Sequence, residues 1–75
     1  MLLAYVMMNT IPDKMEAVLE ELKGINGIED AFMLYGVYDI IAKVKVEETE
    51  ELKITILTIR KLKNVTSTLT LRIVG

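Results

Sequence analysis

With 75 residues the chain supports one domain over residues 1–75, because a fold this small buries only about 60% of its unfolded surface. The absence of cysteine, histidine and tryptophan excludes disulfides and thiolate chemistry, and it removes the commonest general base and transition-metal ligand. A net charge of -2 with no basic run excludes a nucleic-acid footprint, and the longest apolar run, Met1 to Met8, falls far short of the roughly 20 residues that span a membrane.

The first element, Leu2 to Asn9, is apolar on both faces and too short for a helix, which predicts a central strand. Thr10 to Asp13 breaks the pattern at Pro12. Asp13 is a candidate helix cap, with Glu16 three residues on. Met15, Val18, Leu19 and Leu22 then form one apolar stripe at helical spacing, and Gly24 with Asn26-Gly27 supplies a stop and a tight turn. Ile28 to Tyr35 reads as a second strand, Gly36-Val37-Tyr38 as a hairpin connection, and Asp39 to Val46 as a third strand.

Glu47 to Lys63 poses a conflict. Its Ile54, Thr55, Ile56, Thr58 and Ile59 are β-branched and prefer strand. Its length, acidic start and basic end favour a helix, with Thr49 as the expected cap. Val65 to Val74 is the last strand, with Val65, Leu69, Leu71 and Ile73 on one face and Thr66, Thr68, Thr70 and Arg72 on the other. The order βαββαβ with right-handed crossovers predicts an α+β, ferredoxin-like sandwich: an antiparallel sheet with both helices on one face.

A monomer of that shape leaves its other sheet face uncovered. Since 52% of residues are hydrophobic, more than one small core needs, the expected lid is a second copy packed sheet to sheet. The five methionines read as core filling and the acidic residues at 47, 48, 50 and 51 as a solvated helix start. No nucleophile–base pair and no phosphate loop can be drawn, so neither an enzyme nor a cofactor is expected.

Two segments stand out. In Gly36-Val37-Tyr38-Asp39 the simpler reading is a turn, with glycine at positive φ; the functional one has Asp39 hold a ligand ammonium group while the Gly36 backbone receives a carboxylate. Thr66, Ser67 and Thr68 read most simply as ordinary strand residues, and otherwise as hydroxyls for a small polar ligand.

Taken together, Ala4-Tyr5-Val6, Pro12, Gly27-Ile28 with Ala31-Phe32, Gly36-Val37-Tyr38-Asp39 and Asn64-Val65-Thr66-Ser67-Thr68 resemble the effector module of Lrp/AsnC-type transcription regulators, the RAM domain (regulation of amino-acid metabolism). The resemblance implies sheet-to-sheet homodimers, rings of dimers, and an amino acid or similar metabolite bound between neighbouring dimers. It implies that Gly36, Tyr38 and Asp39 line the cleft and that Thr66, Ser67 and Thr68 bind from the last strand. No helix-turn-helix precedes the first strand, so a stand-alone effector module is expected, in the cytoplasm. It would act through a DNA-binding Lrp/AsnC partner rather than on nucleic acid or membrane directly. Tyr35 and Val37 stand where the family often has a hydroxyl and a polar residue, which alters the pocket's size and polarity. An ACT-like regulatory domain and a small dimeric α+β barrel enzyme share the topology.

Overall fold

The computed structural model describes residues 1–74. Its elements are β1 (Leu2–Thr10), α1 (Met15–Lys23), β2 (Ile28–Met33), β3 (Ile40–Val46), α2 (Thr49–Arg60) and β4 (Val65–Arg72). The sheet order is β2-β3-β1-β4 and every neighbouring pair is antiparallel. This is the expected ferredoxin-like arrangement, with the two most apolar strands in the centre.

Alternation along the central strands sets the core. Ala4, Val6 and Met8 of β1 and Ile40, Ala42, Val44 and Val46 of β3 face the helices and are buried. Val18 and Leu22 of α1 and Leu52 and Ile59 of α2 close over them. Of the five methionines only Met8 is core. Met1 and Met33 are exposed, Met7 lies half-buried on the open face, and Met15 packs at the core's margin.

Both predicted caps are displaced by one residue. Asp13 has φ 71, in the left-handed region, and Lys14 takes the cap position without a side-chain hydrogen bond. The chain is still turning there, since the Lys14 N–H donates to the Ile11 carbonyl at 3.0 Å. At α2 the extended residue is Glu48, whose N–H donates to the Glu51 carboxylate at 2.9 Å; Thr49 is already helical. The ends are shorter than predicted: β2 stops at Met33, α2 at Arg60 and β4 at Arg72.

The turn before β2 is the tightest point. Gly27 has φ +97, and a Cβ there would lie 2.6 Å from Thr55 Oγ1 and 2.9 Å from Val46 Cγ1. Thr55 reaches across from α2 and donates to the Asn26 carbonyl at 3.1 Å. A β-branched residue with poor helix propensity therefore locks the helix layer to the turn.

Two bulges shift the strand registers. Ile28 opposes Val44 while Asp30 opposes Lys43, so Glu29 is an extra residue in β2. Asn9 opposes Ser67 while Thr10 opposes Val65, so Thr66 is an extra residue in β4. Beyond that bulge Ser67, Leu69 and Leu71 share the open face with Asn9, Met7 and Tyr5, and Thr68 and Thr70 turn toward the helices. Among the described residues the Thr70 hydroxyl is buried there without a partner. Thr70→Val is expected to leave stability unchanged or raise it by about 1 kcal/mol, read from the urea midpoint, because no hydrogen bond is lost.

Candidate functional site

The two singled-out segments arrive at the same end of the sheet because β3 and β4 both begin where β1 ends. Met8 opposes Ile40 on one side and Thr68 on the other. Gly36, Tyr38 and Asp39 thus lie at the β3 side, and Thr66, Ser67 and Thr68 at the β4 side, with Asn9 and Thr10 between them.

Asp39 is tied into the sheet. Its N–H donates to the Met8 carbonyl at 3.0 Å, and its carbonyl accepts from the Leu34 N–H at 2.7 Å. Its Oδ2 accepts from the Thr10 N–H at 2.9 Å and, more weakly, from the Thr10 hydroxyl at 3.4 Å. The carboxylate therefore satisfies a backbone donor that β1 would otherwise leave unpaired at its end. Among the described residues Oδ1 accepts no hydrogen bond.

Gly36 differs from its turn reading. Its φ is not positive, and a Cβ there would meet nothing within 4 Å. Nothing inside this subunit requires glycine at the position. Tyr35 and Val37 beside it are almost fully exposed, so the connection presents an apolar tip to its surroundings.

The three hydroxyls do not form one row. Thr66 occupies the bulge, Ser67 lies on the open face and Thr68 on the helix side. Ser67 Oγ accepts from Asn9 Nδ2 at 3.1 Å. Asn9 and Thr10, which link the two halves of the site, escaped the sequence reading. Their signal was two consecutive polar residues ending an otherwise apolar central strand. None of the six candidate residues lines the cavity of about 530 Å³ formed by Asp13, Met15, Glu16 and Met33; Gly36, Thr66 and Ser67 are exposed and Tyr38, Asp39 and Thr68 half-buried, a ledge at the end of the sheet.

The open sheet face adjoins this ledge. Leu3, Tyr5, Met7, Phe32, Ile41, Leu69 and Leu71 make it largely apolar. One corner is charged: Glu29 accepts from Lys43 at 3.0 Å and meets Lys45 at 3.5 Å. The hydrogen bond from Lys43 holds the Glu29 carboxyl below its ordinary range, and the same bond raises Lys43. The Glu29 contribution is therefore present above the ordinary glutamate pKa and fades as pH falls through the lowered value; the Lys43 contribution is present below the ordinary lysine pKa and fades as pH rises through the raised one.

Residues 3–74 match the family described as the Lrp/AsnC ligand binding domain. The chain belongs to that family. Among solved structures of similar fold, FFRP-DM1 is 31% identical, with 99% of this chain and 100% of that one covered and a TM-score of 0.93. The hypothetical protein PHS023 from Pyrococcus horikoshii is 30% identical, with 100% and 92% covered and a TM-score of 0.92. A transcriptional regulator from Neisseria meningitidis, NMB0573, solved as a complex with L-Met, shares the fold at 12% identity and a TM-score of 0.83; 99% of this chain and 50% of that one are covered. No curated protein matches the chain. Among the described residues, no helix of this Lrp/AsnC domain is long and apolar enough to cross a membrane, and no cluster of three acidic side chains is placed to hold a metal ion.

Proposed function

We propose that this Lrp/AsnC domain is an effector-binding and oligomerisation module that holds an amino acid or similar small metabolite between copies of itself. It acts in the cytoplasm, and its net charge of -2 leaves DNA contact to a partner regulator of the same family. The observation that carries the reading is Asp39: one carboxylate oxygen is anchored to Thr10 and the other is uncommitted, on a ledge open to a neighbour. An α-ammonium group is the natural partner for that oxygen. The unobstructed Gly36 leaves room for a ligand's carboxylate to approach the backbone. The L-Met complex of the Neisseria relative supports an amino acid as the ligand class. The apolar open face supports sheet-to-sheet pairing, which sets copies of the ledge near one another.

The test is a thermal-shift screen of the twenty amino acids, in which a ligand binding only the folded state raises Tm. At least one is expected to stabilise the protein at millimolar concentration, and no stabilisation by any would refute the sensing role. Asp39→Asn separates the two duties of the residue. Its amide oxygen still accepts from Thr10, so stability falls by no more than about 1 kcal/mol, while the ligand-induced shift disappears. Asp39→Ala leaves the Thr10 N–H orphaned and costs about 1–3 kcal/mol as well. An undiminished shift in Asp39→Asn would remove Asp39 from the site.

A further inference from the structure

Asn26-Gly27 is the centre of a turn over Ile25–Ile28. The Ile28 N–H donates to the Ile25 carbonyl at 3.3 Å, Gly27 has φ +97 and Asn26 does not share its positive φ, so the turn is type II. Asparagine followed by glycine is prone to lose its side-chain amide, because no Cβ on the second residue hinders ring closure. Asn26 is exposed, and among the described residues the Gly27 N–H donates no hydrogen bond. Nucleophile and target are therefore both free, and only the turn geometry keeps them apart. In a type II turn the first central residue has ψ about +120°, which points the Gly27 nitrogen away from the Asn26 side chain. Ring closure needs the peptide plane between them swung over, a rotation on the order of 120°. That swing carries the Asn26 carbonyl off the Thr55 hydroxyl, which donates to it at 3.1 Å. Thr55 is buried in α2, so its hydroxyl does not follow the carbonyl.

We propose that Asn26-Gly27 is a latent self-modification site that Thr55 holds shut. Once the Thr55 bond opens, the Gly27 nitrogen gives its proton to solvent hydroxide and bonds to the Asn26 side-chain carbon. That carbon releases its amide nitrogen as ammonia. Water then adds to the cyclic imide and breaks one of the two C–N bonds of the ring. One break leaves aspartate; the other leaves isoaspartate, with the main chain rerouted through the side chain. Either product is a carboxylate facing Glu51 across a cavity of about 220 Å³ that both residues line. The two like charges oppose reclosure, so one opening of the turn is recorded permanently where α2 meets it. Thr55 is a positioning residue here: it fixes the peptide plane and touches neither reacting atom.

Peptide mapping by mass spectrometry, after incubation in mildly alkaline buffer, reads the mass gain of an amide turned acid. Thr55→Val is expected to deamidate at Asn26 about fivefold faster than the wild type, the worth of one ordinary hydrogen bond. Thr55→Ser keeps the hydroxyl and with it the slow rate. Asn26→Gln in the Thr55→Val background stops the gain in that peptide, because its ring would need a further member. Val6→Ala weakens the core in β1, away from the turn, and leaves the rate at Asn26 unchanged. If Thr55→Val does not fold by circular dichroism, Thr55→Ala replaces it with the same expectation. A folded variant without the hydroxyl that deamidates at Asn26 no faster than the wild type overturns the proposal. So does a Thr55→Ser protein as fast as Thr55→Val, or an equal acceleration in Val6→Ala, which would make global unfolding the gate.

Discussion

Leu69→Glu is expected to convert the protein into a folded monomer. Leu69 sits opposite Met7, half-way along the edge strand β4 on the open face, and is 41% accessible in the single subunit. A carboxylate there stays in contact with water when the subunit is alone, so folding stability changes by less than about 1 kcal/mol. In a sheet-to-sheet dimer the same carboxylate is buried without a cation beside it, once per copy. Several kcal/mol of desolvation per charge translate into at least a thousandfold weaker association, since about 4 kcal/mol is three powers of ten in Kd. Sedimentation gives the mass and circular dichroism gives the fold. A variant that remains dimeric would place the subunit contact elsewhere.

The second large effect is at Gly27. Alanine there must hold φ +97, at about 1–2 kcal/mol for the left-handed backbone. Its Cβ must also displace Thr55 Oγ1 from 2.6 Å and Val46 Cγ1 from 2.9 Å, an overpacking cost of about 1–3 kcal/mol. The expected sum, roughly 2–5 kcal/mol, is a large part of the stability of a domain this size. Urea unfolding should show a lower midpoint with an unchanged slope. Thr55→Ala, which removes the hydroxyl oxygen that the new Cβ meets first, should cost less in the Gly27→Ala background than in the wild type. A Gly27→Ala protein as stable as the wild type would mean that the turn relaxes freely and that the contact with α2 is incidental.

Much of the architecture can be read in the residues because local signals and tertiary demands agree. β1 is apolar on both faces and β3 on one face and half of the other, and they are the central strands. α2 is the instructive exception. Its β-branched residues argue for strand, yet Thr55 and Thr58 use their hydroxyls on the carbonyls of Asn26 and Ile54, which reconciles them with the helix. The charge gradient from Glu50 to Arg60 carries the correct assignment because it reflects the helix dipole rather than packing.

What could not be read is register. The bulges at Glu29 and Thr66 depend on the opposing strand, and no local pattern announces them. The bulge at Thr66 separates Thr66, Ser67 and Thr68, which strand parity alone would treat differently. Likewise the bond from Thr10 to Asp39 joins residues 29 apart in sequence, so the structural duty of Asp39 is visible only in the fold. The shifted caps have a similar origin. Asp13 is a good cap by residue type, but the Pro12 turn holds it in left-handed backbone.

The central claim is that copies of this domain cover one another's open sheet and hold a metabolite at the ledge around Asp39. Native mass spectrometry with and without a mixture of amino acids reads both halves in one experiment. Even-numbered assemblies that gain the mass of an amino acid, with the gain absent in Asp39→Asn, are the expected result. Single subunits that acquire no added mass would contradict it.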